Sequence, residues 1–271
     1  MKFCRFFPPA SAARPGHFLA RSSDAATLLY GVIEDNHVQE ISGPPWEAWS
    51  RTGDAWKLGE VRLATPVQPR KIVCVGRNYA AHAAELGNDV PKEPLIFLKP
   101  STSLIGPDEN IVLTPYSQRV EHEGELAMVI GRHCSQLADS ADALSYVLGY
   151  TCLNDVTARD LQKSDVQFTR AKGFDTFCPV GPHIETGIDP TEVLVEALVN
   201  GTLRQSAATS LMVYPCAFLV RWISRMMTLE PGDVIATGTP AGVGPLVSGD
   251  SVEVRIAGIG VLRNPVHGGN W

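Results

Sequence analysis

The stretch Glu123-Gly124-Glu125-Leu126-Ala127-Met128-Val129-Ile130 decides how this chain is read. Its unbroken apolar run is short, and a run of that length reads as a strand covered on both faces. Side chains alternate across a strand, so Glu123 and Glu125 at its head point to one side. Two carboxylates held together in apolar surroundings repel each other and lose hydration, so a cation or a proton must compensate them. The alternative is that Glu121, Glu123 and Glu125 form the solvated tip of an edge strand. His122 lies between two of these glutamates, and the same alternation turns it to the opposite face.

A second apolar stretch, Tyr146 to Leu153, runs into Asp155 and then the polar segment Val156-Thr157-Ala158-Arg159-Asp160-Leu161-Gln162. An Asp at such a boundary is most simply a helix N-cap, with a third ligand beside the glutamate pair as the other reading. Upstream, the buried-strand candidate Lys71-Ile72-Val73-Cys74-Val75-Gly76 leads into Arg77-Asn78-Tyr79-Ala80-Ala81-His82-Ala83-Ala84-Glu85. On a helical turn His82 and Glu85 share a face, where the carboxylate orients the imidazole as a base. The competing reading is an ordinary surface pair. Lys172 sits among aromatic residues, either as a surface cation or as a partner for a carboxylate or an oxyanion. In Thr237-Gly238-Thr239-Pro240-Ala241-Gly242-Val243-Gly244 the glycines allow backbone N–H groups close to a ligand.

The rest of the chain sets bounds. At 271 residues, 44% apolar and 19% charged, the composition is that of a globular protein of one large domain or one plus a small appendage. The net charge of -6 and the lack of a Lys/Arg-rich run argue against nucleic-acid binding. Six scattered cysteines without a Cys-x-x-Cys pair suggest reduced core thiols, and no stretch is long enough to span a membrane, so a cytoplasmic protein without membrane association is expected.

Residues 1–66 read as a small N-terminal β-rich domain with strands at Met1 to Phe7, Leu28 to Ile33 and Val38 to Ile41. Pro66-Val67-Gln68-Pro69 then reads as a hinge into the main domain, residues 67–271. A strand over 194–199 is followed by the hairpin signal Asn200-Gly201. Pro215 opens an amphipathic helix whose apolar face carries Phe218, Leu219, Trp222, Ile223 and Met226.

Taken in order, five strings and one lysine resemble the fumarylacetoacetate hydrolase (FAH) family, in its branch of acylpyruvate hydrolases and 2-hydroxyhepta-2,4-diene-1,7-dioate isomerases. They are Gly76-Arg77-Asn78-Tyr79 with His82 and Glu85, Glu123-Gly124-Glu125-Leu126, Asp155 to Gln162, Lys172, Pro231-Gly232-Asp233-Val234-Ile235 and Thr237-Gly238-Thr239-Pro240. The match covers residues 71 to about 265. The resemblance implies a mainly β (α+β) fold, a mixed β-roll or β-sandwich with flanking helices, usually as a homodimer. It implies Glu123, Glu125 and Asp155 as metal ligands, and His82 with Glu85 as the pair on a mobile lid that activates water or moves a proton. Lys172 would stand near the reacting oxygen, and Arg77, Tyr79, Arg159, Gln162 and Thr239 would bind substrate.

Three hard oxygen donors favour Mg2+ or Mn2+, with Ca2+ as another occupant. The expected chemistry is attack on a 2-oxo (2,4-dioxo) acid through a metal-bound enolate, first of all carbon–carbon hydrolysis of an acylpyruvate in the manner of aromatic catabolism. Isomerisation, oxaloacetate tautomerisation and decarboxylation share that enolate. A non-catalytic, metal-stabilised 2-oxo acid binding protein is the alternative from another class.

Overall fold

In the computed structural model, which describes residues 1–9 and 28–269, the strand Gly124–Ile130 runs inside a twelve-stranded mixed sheet. It pairs antiparallel with Val147–Asn154 on one side and with Val234–Ala236 on the other. Beyond Val234–Ala236 lie the parallel strand Ile72–Gly76 and the edge strand Leu95–Lys99. Every residue of Gly124–Ile130 is buried, which the uninterrupted apolar run anticipates. Leu126, Met128 and Ile130 pack against Val195, Val254, Ile256 and Leu262 of a second, five-stranded sheet and against Leu219, Val220 and Ile223 of the helix Cys216–Ser224. Ala127 and Val129 face the other way, onto Ile72, Cys74, Leu153, Val180 and Val234. The protein is mostly β, with helices on the flanks of the sheets. Among the described residues no helix is long and apolar enough to cross a membrane, and all six cysteines are free and buried.

The N-terminal segment is β-rich, as expected, but it contains more strands than the sequence suggests. Arg51–Lys57 and Arg62–Ala64 join Lys2–Phe7, Leu29–Glu34 and His37–Ile41. The first of these is largely exposed and lacks the apolar alternation that marks a half-buried strand. Lys2–Phe7 pairs with Cys178–Glu185, Lys2 lying opposite Glu185, so the large sheet continues through both segments. The Pro66–Pro69 connection is packed rather than hinge-like: Val67 is fully buried, and its carbonyl accepts a hydrogen bond of 3.0 Å from Arg5.

The turn Asn200-Gly201 closes the hairpin Leu194–Val199 to Thr202–Ala208 with both residues at positive φ, 52° and 76°, as a two-residue turn of that type requires. The helix after Pro215 is present, but its inward stripe is Cys216, Leu219, Val220 and Ile223. Phe218 is 37% exposed and stacks on Tyr214, and Met226 is 51% exposed. The sheet lies under the i, i+3, i+4, i+7 row, one position around the helix from the row read in the sequence.

At Gly124 the two sheets approach closely. A Cβ built there would stand 3.1 Å from the Ala197 Cβ and 3.5 Å from a Val254 methyl. Gly124→Val should therefore lower stability in urea unfolding by about 1–3 kcal/mol, the usual penalty for overfilling a packed interior; an unchanged midpoint would show that the sheets can separate at this point.

Candidate functional site

Strand register builds the acidic centre. Gly124 lies opposite Asn154, so one step further out Glu123 lies opposite Asp155. The Asp155 N–H donates to the Glu123 carbonyl at 2.8 Å, and the Asn154 side chain accepts from the Glu123 N–H at 2.9 Å. Glu125, two residues along from Glu123, projects to the same side. Ligand oxygens of Glu123, Glu125 and Asp155 all fall within 4.8 Å of one another, and all three residues are buried. These carboxylates are thus in the interior, not on a solvated edge. Asp155 is not an N-cap either: the short helix Arg159–Ser164 starts four residues later, with Ala158 at the cap position.

Cations surround the cluster. The Lys172 ammonium donates to Glu123 at 2.7 Å and to Asp155 at 2.8 Å. Lys99, at the end of an edge strand, is fully buried and donates to Asp155 at 2.6 Å and to the Val156 carbonyl at 3.2 Å. Arg159 reaches Glu121 through Nε at 2.6 Å, Glu123 through Nη2 and Gln162 through Nη1 at 2.5 Å. Glu125 differs: among the described residues its partner is the Gly238 N–H, at 2.8 Å, and no cation stands at ion-pair distance. Gly238 reaches it with φ at +99°, in a place where a Cβ would lie 2.7 Å from that of Asn78, so glycine is required there.

The electrostatics follow this arrangement. Burial pushes the Glu125 carboxyl well above the usual carboxylate range, the charges of Asp155 and Glu123 add to the effect, and Lys172 offsets only part of it. Burial acts on Glu123 as well, but Lys172 and Arg159 outweigh it and hold that carboxyl well below its ordinary value. For Lys172 the penalty of burial is overcome by Asp155 and Glu123, so the ammonium is stabilised. Of the two glutamates, Glu125 is thus the one whose surroundings favour the neutral form.

These groups open into a cavity of about 320 Å³. Glu123, Glu125, Asp155, Lys172, Arg159, Gln162 and Thr239 line it, together with His82, Arg77 and the apolar side chains of Val75, Leu86, Leu95, Phe97 and Phe168. His82 is 4% exposed, on the short helix Ala80–Glu85, with Nδ1 3.4 Å from Glu85. Glu85 stands outside the lining and is held by the Gly242 N–H at 3.0 Å. The Thr239 hydroxyl is already engaged, donating to the Gly124 carbonyl at 2.9 Å and accepting from Gln205 at 2.7 Å.

Tyr79, an expected substrate-binding residue, does not line the cavity. It is buried in the apolar core near Met212, and among the described residues its hydroxyl has no hydrogen-bond partner. His122 turns away from the carboxylates, as strand alternation requires, toward Gln205. Lys99 was not anticipated. Its only mark in the sequence is a lysine closing an apolar run, Leu95-Ile96-Phe97-Leu98-Lys99, ahead of Pro100.

Comparison with known proteins finds relatives along the chain. Residues 71–267 match the family model described as fumarylacetoacetate (FAA) hydrolase C-terminal, and residues 1–66 match Rv2993c-like, N-terminal. The mitochondrial oxaloacetate tautomerase FAHD2B of Bos taurus is 44% identical over 76% of this chain and 70% of its own length. The crystal structure of 2-hydroxyhepta-2,4-diene-1,7-dioate isomerase from Mycobacterium marinum, 44% identical, superposes with a TM-score of 0.86 over the full length of both chains. Fumarylpyruvate hydrolase from Pseudomonas aeruginosa, solved in complex with Mn2+ and pyruvate, is 30% identical with a TM-score of 0.70 over 76% of this chain and 91% of that one. With the family model spanning most of its length and the fold shared from end to end, the chain belongs to the fumarylacetoacetate hydrolase family.

Proposed function

We propose that this protein is a divalent-metal-dependent enzyme that moves a proton at the carbon beside the keto group of a 2-oxo dicarboxylic acid, as a keto–enol tautomerase or double-bond isomerase. One observation carries the reading: a single cavity joins the buried carboxylate triad to an imidazole backed by a carboxylate. Its volume lies at the small end for ligand sites and suits a compact acid.

The donor set fits a hard cation. The clustered ligand atoms are all carboxylate oxygens, from Glu123, Glu125 and Asp155, which favours Mg2+ or Mn2+ and also accepts Ca2+. When bound, such an ion supplies Lewis acidity toward the 2-oxo and carboxylate oxygens of the substrate.

The remaining work falls to the chain itself. Glu85, fixed by the Gly242 N–H, orients the His82 ring at Nδ1, which leaves Nε2 to take the proton from carbon and return it to oxygen or to another carbon. Two of the three Lys172 donors and three of the five Arg159 donors are engaged by the protein, so the rest are free to offset negative charge developing on the 2-oxo oxygen. The apolar walls formed by Val75, Leu95, Phe97 and Phe168 keep water away and strengthen these interactions.

Hydrolysis of an acylpyruvate, the first expectation from the sequence, ranks second. The same dyad would deprotonate a water that attacks the distal carbonyl, and the relationship to fumarylpyruvate hydrolase favours keeping this reading. Proton transfer ranks ahead because the tautomerase and the isomerase share 44% identity with this chain and the hydrolase shares 30%.

Following the enol absorbance of oxaloacetate and of an acylpyruvate in the presence of Mg2+ separates these reactions. Enol–keto interconversion with the carbon skeleton intact is expected; skeleton cleavage would favour the hydrolase, and tight binding with no turnover would favour a binding protein. His82→Gln should lower kcat by about 10²–10⁴-fold, the usual worth of a positioned base, with metal affinity retained; an unaltered kcat would remove the dyad from the chemistry. Mg2+ or Mn2+ at a hundred times its Kd should stabilise the wild type by about 2.7 kcal/mol. Glu125→Gln should abolish that response while leaving the metal-free protein at least as stable, because it removes the carboxylate that burial disfavours most. A metal response retained by Glu125→Gln would move the ion elsewhere.

A further inference from the structure

The basic groups around the cavity are not equivalent. Lys172 and Arg159 are neutralised by carboxylates of the chain. Arg77 lines the same cavity half-buried and, among the described residues, makes no ion pair. Lys163, which also lines the cavity and has no ion pair among the described residues, is exposed at its mouth, where water screens it. A guanidinium drawn out of water without a counter-charge is unfavourable.

The backbone adds a second unfavourable choice at the same residue. Arg77 has φ at 57°, a left-handed conformation that side-chain-bearing residues rarely adopt. The residue after it holds that conformation in place. The Asn78 amide donates to the carbonyls of Tyr214 at 3.0 Å and Thr237 at 2.7 Å, its side-chain oxygen accepts from the Tyr214 N–H at 2.8 Å, and its carbonyl accepts from the Val213 N–H at 2.8 Å. Four hydrogen bonds on one neighbour make this a rigid mount that presents an uncompensated cation to the acid-binding cavity.

We infer that Arg77 receives the distal carboxylate of the substrate and makes the enzyme select 2-oxo acids that carry a second negative group. The inference rests on the proposed 2-oxo acid chemistry and adds the orientation of the substrate. The 2-oxo carboxylate end lies toward Glu123, Glu125 and Asp155, and the far carboxylate lies against the guanidinium, whose planar fork matches it with two parallel N–H donors.

The test compares oxaloacetate with its 4-monomethyl ester, which differs in the distal charge, by calorimetric binding in the presence of Mg2+ and by turnover. Wild-type protein should bind the diacid more tightly. Arg77→Gln, which removes the charge, and Arg77→Gly, which suits the left-handed backbone and so preserves the fold, should each weaken diacid binding by about 10–100-fold, the worth of a hydrogen bond to a charged group. Affinity for the ester, which keeps only a neutral acceptor at that end, should fall by much less, so that the preference for the diacid collapses. A diacid preference that survives both substitutions overturns the inference, as does its loss in Lys163→Gln with Arg77 intact. Wild-type binding of the diacid without turnover would overturn the proposed reaction and leave the Arg77 comparison standing on the affinities; failure to bind either compound would overturn both.

Discussion

Charge compensation among buried groups is the constraint around which the centre of this protein is organised. Glu121, Glu123, Glu125 and Asp155 are all nearly inaccessible to water, and so are Lys99, Arg159 and Lys172. Taking any of these ions out of water alone would cost several kcal/mol, so their positions are mutually determined. Lys172 spans Glu123 and Asp155, Arg159 spans Glu121 and Glu123, and Lys99 holds the second oxygen of Asp155. Each cation comes from a different part of the chain. The small helices that carry Arg159 and Lys172 are therefore fixed to the sheet by electrostatics as well as by packing. Glu125 stands outside these pairs, and its preference for the neutral form is what a divalent ion would reverse.

Much of this was legible in the sequence, for identifiable reasons. The run from Leu126 to Ile130 announces a strand covered on both sides, and the alternation rule correctly puts Glu123 and Glu125 on one face with His122 on the other. The i, i+3 spacing of His82 and Glu85 likewise becomes a contact. What local sequence could not settle was register. Whether Asp155 caps a helix or faces Glu123 depends on how two strands about thirty residues apart align, and hydrophobic pattern alone does not encode that. Lys99 was invisible for the same reason, since its partner is 56 residues away. Tyr79 illustrates a different limit. Three consecutive residues of one motif, Arg77, Asn78 and Tyr79, point respectively into the cavity, into a backbone clamp and into the apolar core.

The cavity unites two environments that water would otherwise separate. One wall is a dense array of fixed charges and the other is apolar, formed by Leu95, Phe97 and Phe168. In such a setting the charged donors are held already oriented, and little solvent reorganisation is needed as charge moves. The glycine-rich segment after Val234–Ala236 joins the parts of this machinery: Gly238 donates to Glu125, Thr239 is anchored to Gly124, and Gly242 holds the carboxylate behind His82. A single loop thus touches both the acidic centre and the carboxylate that backs the His82 ring.

The continuity of the large sheet into the first strand of the chain has a consequence for how the protein can be taken apart. Lys2–Phe7 pairs with the end of Cys178–Glu185, at Ile184 and Glu185, in a strand whose residues are nearly all buried. Cutting away the first 66 residues would uncover apolar side chains and leave N–H and C=O groups of that strand unpaired, a template for sticking to other chains. The N-terminal segment therefore works as a sealing flange, and a truncated protein that retained every residue of the acidic centre would still be prone to aggregate.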